Sequence, residues 1–258
     1  MLRKQNACCY LWIGIIFAGI ALWAIPSWAD PQGDDLVMKS FNYMRGKASI
    51  STVDMTIHRS DWERVVTIQA WTRGEKESLF RITAPPKDKD NGTLKKGREM
   101  WTFNPKVNRT IKLPPSMMSQ SWMGSDFSNN DLAKSDSLVY DYDHTITGEE
   151  IVDGHTIYSI TSMPKPDAPV IWGMLKLKIR DDYIMLEEAF FDEDLELVKA
   201  MQTFDIQPVE GKLYPRAWKM RDADEPDRYT LLEYRHLEFL EHLPDRLFTL
   251  SALKTRRR

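Results

Sequence analysis

The chain has 258 residues, with 35 basic and 38 acidic side chains for a formal net charge of −3, and 42% of it is hydrophobic. That balance excludes a nucleic-acid binder, which would need a strongly basic surface. The only two cysteines, Cys8 and Cys9, sit in the first ten residues, so neither disulfides nor thiol chemistry define the remainder.

Residues 1–29 read as a secretory signal. Arg3 and Lys4 form a basic start, Leu11 to Trp23 an apolar stretch, and Ser27-Trp28-Ala29 a small-x-small cleavage site. The apolar stretch falls short of the ~20 residues of a bilayer span, and Pro26 breaks it before the cleavage site; the alternative is an anchor that is kept. Neither cysteine ends the apolar stretch after a small residue, as a lipid-modified cysteine would, so the protein is not expected to be a lipoprotein itself. Cleavage near Ala29 leaves residues 30–258 as one domain, with 33 basic against 38 acidic residues. A chain of that length suits a single large all-β domain with a substantial core.

The first element expected is an amphipathic helix over Asp34–Gly46. Val37, Phe41 and Met44 recur at helical spacing, an aspartate stands near the positive N-terminal end, and Gly46 stops the run. From Ser49 the pattern changes to alternation and turns. Strands are expected at Thr52–Arg59, Arg64–Thr72, Ser78–Ala84, Glu99–Phe103 and Arg109–Leu113. A second series covers Tyr140–Ile151, Thr156–Ser162, Gly173–Arg180, Ile184–Phe191, Leu195–Ile206, Tyr214–Arg221 and Tyr229–Leu237. Asp153-Gly154, Asp192-Glu193-Asp194 and the segment 223–227 supply turns between them. Many short strands at hairpin spacing with little helix give a mainly β fold, a single curved antiparallel sheet or open barrel.

The richest stretch for function is Leu79–Leu132. Trp101 and Phe103 share one strand face, Ile111 and Leu113 share a face of the returning strand, and the turn at 104–108 is expected to pair these faces. The apolar surface then runs into Met117, Met118, Trp122, Met123 and Phe127. Trp71 and Phe80 add aromatic area on neighbouring strands. Methionine is unbranched and polarizable, and repacks around ligands of different shape. Gly124, Ser121, Ser125 and Ser128 make this loop a candidate mobile apolar lid, with a partner-docking surface as its rival. For Trp71, Phe80, Trp101, Phe103 and Phe190 ordinary core packing is the competing reading.

These residues resemble a known family. The run from Leu79 through Trp101 and Pro105 resembles the LolA-type periplasmic carriers, which sort lipoproteins to the outer membrane. The Met123–Phe127 run followed by Asp131-Leu132, and Pro244–Thr249, are similar to a larger outer membrane lipoprotein-sorting branch. The resemblance covers about Asp34 to Leu253. It implies an unclosed β-barrel curved around a hydrophobic cavity, with a helical lid over the open side. Here that lid is expected from the Val37–Met44 helix and the Ser116–Lys134 segment. It further implies a periplasmic carrier of lipoprotein acyl chains or another lipid, served by an inner-membrane transporter complex and an outer-membrane acceptor. Such carriers hold an arginine that governs opening. Arg73 is its nearest match, and a solvated edge charge is the competing reading because its spacing to Leu79 is longer. No cofactor is implied. An accessory role to an export pump or permease, and a lipid-sensing regulator, are alternatives that need the same cavity.

Enzymatic chemistry finds no support in the sequence. The five histidines are scattered, no HExxH, CxxC, GxSxG or phosphate-loop pattern occurs, and Asp141-Tyr142-Asp143-His144 is the nearest approach to a metal cluster. The charged segments Lys87–Asp90 and Lys95-Lys96, flanking Asn91-Gly92, are expected to form a solvated hairpin tip. Arg256–Arg258 reads as a frayed basic tail.

Overall fold

The computed structural model describes residues 30–225 and 227–254. The expected signal segment and the terminal arginines lie outside the described residues. Thirteen antiparallel strands form one sheet. β1 (Ala48–His58), β2 (Glu63–Arg73), β3 (Glu77–Ala84), β4 (Gly92–Lys96), β5 (Glu99–Asn104) and β6 (Arg109–Lys112) step outward to one edge. The chain then crosses to the opposite edge through residues 113–141. It returns strand by strand through β7 (Tyr142–Val152), β8 (His155–Pro164), β9 (Met174–Arg180), β10 (Met185–Phe191), β11 (Leu197–Val209), β12 (Lys212–Asp222) and β13 (Tyr229–Leu240). β13 pairs with β1 from Ala48↔Leu240 to His58↔Tyr229, making the central seam, while β6 and β7 stay unpaired with each other. The sheet is therefore not closed. Register shifts at Thr52/Val53, Thr67/Ile68, Ile146/Gly148, Met185/Glu187 and Phe190/Phe191 bend it, since each bulge increases local twist.

The helix α1 (Pro31–Arg45) begins three residues earlier than the apolar spacing predicts. Asp30 caps it by accepting from the Gln32 N–H at 3.0 Å, and Pro31 fills the first turn, where an N–H is not needed. Asp30 and Asp34 also accept the backbone N–H groups of Ile146 and His144, which fastens the helix to β7. Gly33 permits that approach: a Cβ there would lie 2.6 Å from the His144 carbonyl oxygen.

The expected hairpin tip at Lys87–Lys96 is corrected by the structure. Only the turn is solvated; Gly92–Lys96 forms β4, and Lys95 is 1% exposed, with its Nζ donating to the Glu75 carbonyl and to Ser135. Beneath the other face of β4, Leu253 lies where a Cβ on Gly92 would be, 2.7 Å away.

The sheet has apolar surfaces on both faces. The concave face of β8–β12 packs Ile160, Leu177, Met201 and Met220 beneath Val37 and Met44 of α1. On the convex face of β1–β5, Trp71, Leu79, Leu94 and Phe103 are covered by Leu243, Phe248 and Leu253 of the C-terminal segment, which ends in α4 (Leu250–Lys254).

Candidate ligand cavity

Strand alternation decides which side chains face inward. On β1 these are Ser49, Ser51 and Val53, on β2 Ile68, Ala70 and Thr72, and on β3 Ser78 and Phe80. With inward residues of β10–β13 they line a cavity of about 410 Å³, inside the ~300–1,000 Å³ range of small-molecule sites. Its roof has two parts, α1 with Phe41, Met44 and Arg45, and the crossing segment with Trp122, Phe127 and Leu132.

Of the residues singled out from sequence, the structure brings Phe80, Trp122 and Phe127 to the cavity wall. Phe80 and Trp122 meet edge to face at 5.4 Å, and the Trp122 indole N–H donates to Thr93 at 3.1 Å. Met123 packs against the buried cluster that holds Trp122 with residues of β1 to β3. Leu113, Met117 and Met118 form a separate cluster with Ala133, also of the crossing segment, and with Met100 of β5. Trp71, Trp101 and Phe103 lie on the convex face with the C-terminal segment, and Ile111 is 41% exposed.

The expected pairing of the Trp101/Phe103 face with the Ile111/Leu113 face is corrected by the register. Trp101 stands opposite Lys112 and Phe103 opposite Thr110, which puts Ile111 on the other face with Thr102. A one-residue change in loop count reverses the face of a whole strand. The methionines that do line the cavity are Met44, Met185, Met201 and Met220.

The crossing segment is strapped rather than loose. Its serines act as caps: Ser125 Oγ donates to the Trp122 carbonyl, and Ser128 forms a capping box with Asp131 at the start of α2 (Asn129–Ala133). Asp126, nearly inaccessible, accepts from Arg59, from Arg228 at 2.9 Å and from Thr230 at 2.7 Å. Asp131 pairs with the buried Lys199. Gly124 and the serines thus sit in a cover tied to the sheet beside β1, on β11 and on β13.

Arg73 shares the convex face with Trp71. It binds Glu77, donates to the Leu243 carbonyl at 2.8 Å and lies 4.9 Å from the Phe248 ring centre. It holds the C-terminal segment, while the arginine that lines the cavity is Arg45. Besides the cavity methionines of β10, β11 and β12, two charged groups of the lining were missed from sequence. Arg45 ends α1, where a cation is an ordinary complement to the helix dipole. Glu188 sits on a strand whose alternation is blurred by the Met185/Glu187 bulge. The Glu188 carboxyl opens onto the cavity rather than bulk water and has no hydrogen bond or ion pair among the described residues. Burial, and then the charge of Asp131, push it up to about 7 against the opposing pull of Lys199.

The Asp141–His144 stretch does not converge on a point. Asp141 pairs with Arg98, and His144 turns inward to Ser162 at 2.7 Å. Among the described residues no three His, Cys, Asp or Glu side chains are placed to hold a metal ion, and no helix is long and apolar enough to cross a membrane.

Solved structures of similar shape exist. A DUF1329 family protein from Desulfovibrio piger superposes with a TM-score of 0.77 at 23% identity, covering 86% of this chain and 98% of that one. A Vibrio parahaemolyticus domain named for outer membrane lipoprotein sorting gives 0.74 at 17% identity, covering 87% and 99%. A LolA superfamily protein from Nitrosomonas europaea gives 0.70 at 21% identity, covering 85% and 98%. No curated protein matches the chain in sequence. A family model described as "Uncharacterized protein" matches residues 74–255, most of the chain. The fold of this chain is an unclosed barrel like that of those three solved structures, and the match over most of its length places the chain in that family.

Proposed function

We propose that this protein is a periplasmic carrier that takes acyl chains of lipoproteins, or of a related lipid, into the concave cavity and passes them on toward the outer membrane. The observation that carries the reading is the apolar cavity of about 410 Å³ between a bent sheet and a two-part roof. An acyl chain in water is unfavourable by ~0.8 kcal/mol per methylene, so transit across an aqueous compartment needs a cover. Four flexible methionines in the wall let one cavity fit chains of different shape. The names borne by the Vibrio and Nitrosomonas proteins agree with this reading.

The carrier works by uptake and release, with no bond made or broken. An inner-membrane transporter complex would supply the cargo and an outer-membrane acceptor would remove it. The test is native mass spectrometry of protein purified gently from the periplasm, with binding of acyl probes to the delipidated protein. A co-purifying lipid or acylated protein, displaced by a probe and lost in Phe127→Glu, supports the carrier. Failure of palmitate, its methyl ester and a diacylated peptide to bind would end this reading.

A further inference from the structure

One end of the cavity is polar in an organised way. Ser49 on β1, Thr72 on β2 and Ser78 on β3 stand directly opposite one another in adjacent strands. Ser49 and Thr72 share a hydrogen bond of 2.7 Å. The next residue in that row is Lys95 on β4. Above the row, Arg45 donates through Nη2 to Ser78 Oγ at 3.2 Å and through Nε to the Gly74 carbonyl. Ser40 on α1 and Ser137 on α3 (Ser137–Tyr140) also line the cavity. Both hydroxyls are buried and neither has a hydrogen-bond partner.

Two carboxylates, Asp136 and Glu75, act on the Arg45 charge through space but do not touch it. Asp136 pairs with Lys95 at 3.4 Å and Glu75 accepts from the Tyr140 hydroxyl, so neither carboxylate contacts Arg45. Arg45 has no ion pair among the described residues; burial acts to lower its pKa, against the opposing pull of Asp136 and then Glu75. A guanidinium carries five N–H donors, and the two bonds above leave several unused beside two idle hydroxyls. The half-buried guanidinium is offset only at a distance, which leaves its free N–H groups open to an anion in direct contact.

We infer that this row receives the anionic end of an acyl amphiphile, a carboxylate or phosphate ester, whose tail extends along Phe80 and Met201 into the apolar body of the cavity. The inference rests on the carrier reading and refines it: the cargo is held by its charged end as well as by its chain. Arg45 supplies the charge, and Ser40, Ser78 and Ser137 supply neutral donors around it. Charge-assisted hydrogen bonds of this kind are roughly twice as strong as neutral ones.

The experiment compares palmitate, hexadecyl phosphate and methyl palmitate binding to the delipidated protein at alkaline pH, by calorimetry or tryptophan fluorescence. The two anions are expected to bind at least ~10-fold more tightly than the neutral ester. Arg45→Met, which keeps much of the aliphatic stem, should bring the ratio to about one while retaining ester binding. Inorganic phosphate should neither bind nor compete, which identifies a lipid head group as the source of the anion; competition by phosphate would reassign the row to a free anion and overturn the amphiphile. Equal affinity of the wild-type protein for palmitate and its ester would also overturn the inference and leave the carrier reading intact. Absence of binding by all three, with the diacylated peptide failing as well, would instead remove the carrier reading and this inference with it. If Arg45→Met does not fold, Ser78→Ala and the wild-type anion-to-ester ratio decide the matter.

Discussion

The Arg59 guanidinium and the Asp126 carboxylate form a two-pronged pair, each contact 3.1 Å long, that joins the end of β1 to the tip of the crossing segment. Arg228 and Thr230 share the same carboxylate, so three groups from the sheet end hold one acidic residue of the roof. Removing one partner of a buried pair costs ~3–5 kcal/mol, because the other charges are left uncompensated. Asp126→Ala is expected to lower stability by about 3 kcal/mol. Amide exchange across residues 117–134 should accelerate far more than exchange in β1 and β13. Uniform acceleration over the whole sheet would mean that the pair stabilises the barrel rather than its cover.

The two methionine groups separate packing from ligand contact. Met118 belongs to the Met100–Leu113–Ala133 cluster, away from the cavity, whereas Phe127 faces it. Met118→Glu sets a carboxylate against a half-buried apolar cluster and should destabilise the fold by ~1–2 kcal/mol. Phe127→Glu should leave the fold largely unchanged and abolish methyl palmitate binding. Urea titration beside probe titration checks both, and loss of binding with an intact fold in Met118→Glu would contradict the assignment.

Glu188 predicts a pH dependence with a definite sign. Its folded pKa of about 7 lies above the ordinary 4.5, so the folded state holds a proton that the unfolded chain has released. Stability should therefore fall as pH rises from about 4.5 to about 7 and be flat above that. Glu188→Gln removes this limb and should gain on the order of 2 kcal/mol at pH ~8 while gaining nothing near pH ~4. Urea midpoints across that range test it. Parallel curves for the two proteins would show that the carboxyl is freely hydrated.

The C-terminal segment is predicted to act on stability alone. Phe248 is almost fully buried against Trp71, Leu79 and Phe103 on the convex face, with Arg73 over its ring. Phe248→Ala should cost about 3–4 kcal/mol, the ordinary consequence of a large-to-small change in a core. Affinity for acyl probes should be unchanged in the folded fraction, because the cavity lies on the opposite face. A matching loss of affinity would couple the two faces.

Much of the sheet was legible in the sequence, because period-two alternation survives in strands with one buried face, as in β1 and β2. β4 escaped because Gly92-Thr93-Leu94-Lys95-Lys96 offers one large apolar residue and two lysines, and nothing local reveals that Lys95 points inward to Asp136. The roof was legible as two segments, from the helical spacing of Val37, Phe41 and Met44 and from the apolar run after Leu113. Which face each aromatic residue takes was not. Phe80, Trp122 and Phe127 reach the cavity, while Trp71 and Phe103 meet a C-terminal segment more than a hundred residues away in the chain. Arg45 and Glu188 carried no pattern at all, since their roles come from tertiary neighbours that single-residue spacing does not encode.

The seam between β1 and β13 bears on how the chain is made. Ala48 meets Leu240 only when nearly the whole polypeptide has been synthesised, and a partner so distant in sequence gives a high contact order and slow closure. The N-terminal strands can form hairpins early, but the barrel wall lacks its middle until the last strand arrives. A chain built this way stays open through most of its synthesis, and the wall that frames the cavity is complete only once β13 has zipped onto β1.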